Sequence, residues 1–459
     1  MKYLLSSLSI LWIAGCATSP PPRDPPAIHL PEAWAASAVA GPLDQAWLND
    51  LKAPELSSLV EEAMSQNADL QRVTAVLGQR VAEARIAGAD RLPSASFGLE
   101  GARQQISTFG PSTTGGVIFE NYNLGPNLSW ELDLWGRLRD QSAAALARIE
   151  VSEAELQAAR LSLAARVAKA WFNLVEARQQ VEEASRTAES YRQNLKTLES
   201  RFQRGLSSGL DLRQTRTLAA NAQADLTSRK RSLDAAKRNL ETLLGRYPGA
   251  AVRPDASLPP LPAAIPAGLP AELIQRRPDL IAAERRLAAA DREWTARKKD
   301  LLPRISLTAS GGTSSQEFNN LLDRDFSVWS LAGNLSQPLF QGGRIVANID
   351  RAASLQEQAR AAYRDAALKA FLEVETTLAA EAYLKNEYTQ LKTATDAANA
   401  TETQAWEDYR RGSTDFLNVL DSQRTAATAR ARLIRAKNLL VQNRIDLYLA
   451  LGGPFATES

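Results

Sequence analysis

From Asn123 to Leu134 the chain alternates. Leu124, Pro126, Leu128, Trp130, Leu132 and Leu134 fall on one face, and Asn123, Gly125, Asn127, Ser129, Glu131 and Asp133 on the other. A period of two belongs to a strand with one apolar face. Three further segments carry it: Ala95, Phe97 and Leu99 against Ser96, Gly98 and Glu100; Ile305, Leu307 and Ala309 against Ser306, Thr308 and Ser310; Trp329, Leu331, Leu335 and Leu339 against Ser330, Ala332, Asn334 and Ser336. After each pair of strands the pattern changes. Arg137 to Arg204 and Arg344 to Arg411 each run 68 residues without glycine or proline, rich in Ala, Leu, Arg, Gln and Glu. These are good helix formers, and each stretch predicts one helix roughly 100 Å long. Shorter helices are expected over Glu55 to Leu92 and Leu210 to Leu244, their summed length close to that of the long helix, so that the short pair can stack end to end beside it.

The two halves are one design used twice. At an offset of 207, Asn127-Leu128-Ser129 recurs as Asn334-Leu335-Ser336, Gly136 as Gly343, Arg204-Gly205 as Arg411-Gly412 and Leu244-Gly245 as Leu451-Gly452. Upstream the offset is 210: Asp69-Leu70 recurs as Asp279-Leu280 and Leu92-Pro93 as Leu302-Pro303. Chance identities do not hold one register over so long a span, so the chain is an internal duplication. A stretch with seven prolines, Pro248 to Pro270, divides the halves.

The N-terminus speaks for the compartment. Lys2 precedes an apolar run from Tyr3 to Ile13, too short to span a bilayer as a mature helix and right for a signal peptide. Ile13-Ala14-Gly15-Cys16 resembles the bacterial lipobox, which implies a diacylated Cys16 as the new N-terminus. Residue 17 is Ala rather than Asp, which by the same resemblance sends the lipoprotein to the outer membrane. Ser19 to Pro26 then reads as an extended tether. Cys16 is the sole cysteine, so no intrachain disulfide forms.

Composition excludes several functions. The single histidine, His29, lies in the tether, and no nucleophile–base pair, metal-ligand cluster or glycine-rich phosphate loop is present. No enzyme activity, cofactor or metal is expected. A net charge of +2 argues against nucleic acid. With no apolar helix beyond the signal, a membrane crossing must be made by strands. Four strands cannot close a barrel, and an open edge in lipid leaves backbone groups unpaired. The chain must therefore oligomerise. Two copies give eight strands with a filled interior; three give twelve with a lumen.

Several motifs together identify a family. Trp130-Glu131-Leu132-Asp133-Leu134-Trp135-Gly136-Arg137, Arg276-Arg277-Pro278-Asp279-Leu280, Leu302-Pro303-Arg304-Ile305-Ser306-Leu307, Gln337-Pro338-Leu339-Phe340-Gln341-Gly342-Gly343-Arg344 and Tyr409-Arg410-Arg411-Gly412 resemble the outer membrane efflux proteins of the TolC family. Within it they are most similar to the lipoproteins of resistance-nodulation-division efflux systems. The resemblance implies a mixed α and membrane β fold: a homotrimer with a twelve-stranded outer membrane β-barrel, four strands per chain, continuous with a long periplasmic α-helical barrel. It also implies a periplasmic adaptor protein and an inner membrane transporter of the resistance-nodulation-division type as partners, with the chain lipid-anchored in the outer membrane. The organisation expected is a signal peptide over 1–15, a lipidated tether and equatorial segment over 16–53, and a first repeat over 54–247. A proline-rich equatorial linker over 248–270, a second repeat over 271–453 and a C-terminal tail over 454–459 follow.

The family's gate lies at the periplasmic tip, here the turns Gly205 to Asp211 and Gly412 to Asp421. The resemblance places a constricting apolar residue at Leu417, an acidic ring at Asp421 and its basic partner at Arg424. It also matches Tyr409 and Asp211 to linking contacts between neighbouring helices, although Asp211 equally fits a helix cap after a glycine turn. Asn418 stands where TolC has a second acidic residue, and Thr414 where it has an arginine. The function implied is a passive exit duct of a tripartite efflux pump for small molecules or drugs. A duct for protein secretion is the alternative within this architecture, and the lipobox and short C-terminus favour efflux. A structural or adhesive lipoprotein rod is the alternative outside it.

Overall fold

A computed structural model of the protein describes residues 32–36, 48, 51, 53–106, 116–254, 257–260, 267 and 270–453. Cys16, the signal segment and the C-terminal tail lie outside the described residues. The elements follow in the order α1 (Pro54–Gln66), α2 (Ala68–Ala89), β1 (Ser94–Ile106), β2 (Val117–Leu132), α3 (Arg137–Gln203) and α4 (Gly209–Leu243). The second half gives α5 (Pro270–Arg276), α6 (Pro278–Lys298), β3 (Arg304–Ser315), β4 (Ser327–Ser336), α7 (Arg344–Arg411) and α8 (Phe416–Ala450). The two long helices are 67 and 68 residues, as the absence of helix breakers dictates.

Three expectations need correction. The helix expected over Glu55 to Leu92 is two helices, because Asn67 interrupts it: its Oδ1 accepts from the N–H groups of Asp69 and Leu70 at 3.0 and 3.1 Å and so caps α2. Strand β2 begins at Val117, upstream of Asn123. There the alternation is lost in the run Val117-Ile118-Phe119-Glu120, and Arg103 and Glu120 pair at 3.1 Å across β1 and β2. Leu339 lies beyond β4, since Pro338 cannot donate to a ladder; just before it the Gln337 side chain donates through Nε2 to the Leu301 carbonyl at 2.7 Å.

The chain divides into two compact units. One comprises Val76–Glu153 and Ala282–Arg364 and contains the sheet, an antiparallel meander in the order β1-β2-β3-β4. Its register aligns the apolar positions across all four strands. Ala95 faces Leu128, which faces Ala309, which faces Leu331; Trp130 faces Leu307, and Leu132 faces Ile305, which faces Leu335. The neighbouring rows are polar: Ser96, Asn127, Ser310 and Ser330 line up one step away. One side of the sheet is therefore apolar. Along it Phe97 is 72% and Trp329 83% exposed, so no part of this chain covers that face among the described residues.

The tryptophan-rich motif after β2 converts strand into helix. Trp130 Nε1 donates to the Arg91 carbonyl at 3.0 Å. Glu131 pairs with Arg137 at 2.7 Å, and Asp133 accepts from the Leu138 and Arg139 amides at 3.0 and 2.8 Å, satisfying the open end of α3. Trp135 Nε1 donates to the Pro303 carbonyl at 2.6 Å and ties the first repeat to the second. Below this junction Lys299 is buried against Asp140 at 2.5 Å, with Arg292 at 3.6 Å from the same carboxylate.

The other unit comprises Ile28–Ala75, Ala154–Ile281 and the chain from Asp365. Its core is built by Leu163, Trp171, Phe172, Leu174 and Val175 of α3 and Val441, Ile445, Leu447 and Tyr448 of α8, all buried. The linker is held by charges acting on its backbone. The Glu241 carboxylate accepts from the amides of Ala250, Ala251 and Val252 at 2.7, 2.6 and 3.1 Å. Arg178 donates to the Pro254 carbonyl at 2.8 Å, and Lys437 to that of Leu258 at 2.8 Å. Burial pulls the Lys437 ammonium down from its ordinary value. The N-terminal segment is docked in the same manner: Glu375 of α7 accepts from the Ala35 and Ala36 amides at 2.7 and 2.8 Å, and Trp34 meets Phe371.

Candidate functional site

The two turns expected at the tip are built alike. Helix α3 ends where the Gly205 amide bonds the Phe202 carbonyl and the Leu206 amide that of Arg201, both at 2.9 Å. Helix α7 ends the same way 207 residues later, from Gly412 to Tyr409 at 3.0 Å and from Ser413 to Asp408 at 2.9 Å. Gly205 and Gly412 have φ of 73° and 74°, the left-handed conformation that closes such helix ends.

Asp211 sits at the third position of α4 and closes a capping box with Ser208. The Asp211 amide donates to Ser208 Oγ at 3.0 Å, and the Ser208 amide to Asp211 Oδ2 at 3.3 Å. The cap itself is thus Ser208, three residues earlier than the cap read at Asp211. Ser208-Gly209-Leu210-Asp211 carries the signature that would have found it.

Tyr409 is the centre of an aromatic cluster. Its ring lies 5.1 Å from Phe416 and 6.2 Å from Trp406, with the Arg201 guanidinium 5.6 Å above it. Arg201 Nε is buried without a hydrogen-bond partner, and the ring face supplies its contact. Trp406, Phe416 and Arg201 escaped the sequence reading, though Trp406 and Tyr409 stand three apart on one helix face and Phe416 follows the turn directly.

Leu417, Asp421 and Arg424 share one face of the first two turns of α8. Arg424 and Asp421 pair at 2.5 Å, both largely exposed. Together with Leu420 they line one wall of a groove of about 400 Å³, and Arg213, Gln214, Thr217 and Leu218 of α4 line the other. Asn418 and Thr414, the two departures from TolC, are bonded to each other, the Asn418 amide donating to Thr414 Oγ1 at 2.8 Å. A neutral local bond thus occupies the place of two charges.

Higher up, α3, α4 and α8 surround a cavity of about 770 Å³. Glu176 faces it; burial raises its carboxyl above the ordinary value, against hydrogen bonds from Asn438 and Gln180 that lower it. Tyr191, also facing the cavity, has its phenol raised by burial. Among the described residues no cluster of metal-ligating side chains occurs, and no helix is long and apolar enough to cross a membrane.

An apolar sheet face, paired long helices and a charged, glycine-closed tip are the parts of an outer membrane channel with a helical extension. Residues 59–246 and 269–453 match the outer membrane efflux protein family, and the chain belongs to it. It is 31% identical to the outer membrane protein OprJ of Pseudomonas aeruginosa over 456 residues, 98% of this chain and 95% of that one. It is likewise 31% identical over 470 residues to the pyoverdine export outer membrane protein OpmQ of Pseudomonas putida, covering 99% and 97% of the two chains. The structure of the Neisseria gonorrhoeae outer membrane channel MtrE, solved in its open state, superimposes with a TM-score of 0.83 at 29% identity, over 96% of this chain and all of that one. The chain is an outer membrane efflux protein of mixed α and membrane-β fold, its long helices forming a periplasmic extension.

Proposed function

We propose that the protein is the passive exit duct of a tripartite efflux pump for small molecules. Three copies close it: the outer edge of β1 in one copy pairs with the outer edge of β4 in the next, giving twelve strands. The observation that carries this reading is the sheet register. An apolar row continuous across four strands, exposed and bounded by two unpaired edges, is stable in lipid only when the edges are joined. A rod in water would leave Phe97, Trp329, Leu331 and Leu335 without a partner. The relatives include proteins named as outer membrane components of solvent and toluene efflux pumps, which favours small-molecule efflux over protein secretion.

The duct takes its energy from elsewhere, so an inner membrane transporter of the resistance-nodulation-division type and a periplasmic adaptor are its partners. Leu417 forms the apolar constriction and Asp421 the acidic ring at the tip. Such a pair of rings resists wetting and prefers cations. Arg424 neutralises part of that ring at rest. Tyr409 and Asp211 are the linking positions of the gate, Tyr409 in the turn that carries the rings and Asp211 in the matching turn of the first repeat. Cys16 bears lipid that aids targeting, at about 0.8 kcal/mol per buried methylene.

The test is threefold on one preparation. Native mass in detergent should give three copies, and planar bilayers should show ion conductance. Intact mass should show a diacylated Cys16 that Cys16→Ser removes without loss of the trimer. A stable monomer, or a trimer that passes no current even when the gate residues are replaced, refutes the duct; an unmodified Cys16 refutes the anchor alone.

A further inference from the structure

Helices α3 and α8 run antiparallel along a seam of polar side chains spaced about seven apart. Lys169 pairs with Asp446 at 2.7 Å, Asn438 donates to Glu176 at 2.6 Å, Arg430 Nε donates to Glu183 at 2.6 Å, and Gln423 donates to Ser190 at 3.0 Å. Heptad spacing keeps such positions on one face. A polar seam fixes register while contributing little net stability compared with an apolar one, so it is a surface along which two helices can part. On its open side the seam borders the 770 Å³ cavity, lined here by Glu176, Gln180 and Glu183, so water can replace any bond that breaks.

Arg430 differs from its neighbours in the seam because it also holds a third helix. Its Nη1 donates to Asn399 at 2.8 Å and to Glu402 at 3.0 Å, both on α7. Glu183 is 6% exposed, and its other cation, Arg186, stands 3.7 Å away and 71% exposed. Without Arg430 the Glu183 charge would be buried against one solvated partner. Burial works against the Arg430 charge, and the two carboxylates more than offset it. The planar guanidinium can serve acceptors on two helices at once, which a lysine cannot.

We propose that Arg430 is a positioning residue for the gate: it latches the α7–α8 hairpin to α3 and so holds the turn bearing Leu417 and Asp421 in its resting position. Arg430 is six residues beyond Arg424 on the same helix, about 9 Å along its axis. A tilt of the hairpin away from α3 must break the neutral bonds of Gln423 to Ser190 and Asn194 nearer the turn, and then the Glu183 bond, the charged one nearest the tip in the seam. This rests on reading the protein as a gated duct.

The experiment records single-channel current from full-length trimers in planar bilayers, with apparent Tm measured alongside. Arg430→Met should raise the open probability about tenfold, the change expected when one charge-assisted bond leaves a two-state equilibrium. Arg430→Lys should not restore the wild-type value. Glu402→Gln, which removes the carboxylate on α7 and leaves the Glu183 and Asn399 bonds intact, should give a smaller rise. Lys169→Met, at the far end of the same seam, should lower Tm and leave the current unchanged. Wild-type current in Arg430→Met trimers overturns the latch, as does an equal rise in Lys169→Met, which would mean general loosening. Should Arg430→Met fail to assemble, wild-type current in Glu402→Gln overturns it. If neither the wild type nor any variant passes current, the duct itself is overturned, and the latch with it.

Discussion

Asn67 and Arg277 stand 210 residues apart and make the same bond. Each lies in the break between two helices, and each donates to the last carbonyl of the helix that ends its own repeat: Asn67 Nδ2 to Leu243 at 2.9 Å, and Arg277 Nη1 to Ala450 at 3.0 Å. Duplication preserved the contact and changed the chemistry. Asn67 also caps α2 with its own oxygen. Arg277 cannot cap, and instead binds Asp279 and Glu373, each at 2.7 Å. Asn67→Ala should therefore cost about 1–3 kcal/mol, from one lost cap and one orphaned carbonyl. Arg277→Ala should cost more, because it also leaves two carboxylates unpaired. Apparent Tm of the trimer in detergent, compared between the two variants, checks the order.

The sheet gives a second prediction. Trp329 and Ser330 are adjacent in β4 but point to opposite faces, and Ser330 Oγ is 2.8 Å from Ser310 Oγ on the polar side. If the apolar face meets lipid, Leu331→Arg should destabilise the assembled barrel by about 2–4 kcal/mol, while Ser330→Arg should be tolerated. Outer membrane yield of trimer, measured for both, separates the two faces; equal yields would place lipid on neither.

Much of this was legible in the sequence for plain reasons. Sixty-odd residues without a helix breaker form a helix whatever surrounds them, so α3 and α7 end within a residue of the expected sites. The strand faces were equally readable, since a period of two survives any register. What escaped was set by single polar atoms. The break at Asn67 comes from one side-chain oxygen competing with the helix ladder. The extension of β2 to Val117 rests on pairing with β1 where alternation has already stopped. The linker clasp is invisible for a third reason: Glu241, Arg178 and Lys437 all bind backbone atoms, which carry no sequence pattern.

At the tip, the Tyr409 ring matters through its face. Tyr409→Phe keeps the contacts with Phe416 and Arg201 and should change little alone. Tyr409→Ala dissolves the cluster and exposes the Arg201 stack. Combined with Arg424→Ser, which frees Asp421, Tyr409→Ala should raise single-channel conductance well above that of Tyr409→Phe with Arg424→Ser. Asp421→Ala should lower cation selectivity, read as a shift in reversal potential under a salt gradient. Unchanged values in all of these variants would place the gate elsewhere. The exposed Asp421–Arg424 pair is itself worth only about 0–1 kcal/mol, so any large change must come through the cluster.

The Glu241 clasp should be acid-labile. Burial by its immediate neighbours works to raise this carboxyl, and the amides of Ala250, Val252 and Ala251 outweigh it, leaving the group below its ordinary value of 4.5. A carboxylate held lower in the folded than in the unfolded chain contributes stability that is complete above the unfolded value. That stability is lost as pH falls through the folded value. At neutral pH the linker start is therefore fully clasped, and it should release only as pH falls below the ordinary carboxylate value. Hydrogen exchange of the Ala250, Ala251 and Val252 amides, corrected for intrinsic rates, should accelerate on acidification in the wild type. In Glu241→Gln it should be fast at neutral pH and show no such step. Protection in Glu241→Gln equal to the wild type at pH 7 would mean that the carboxylate does not hold the linker.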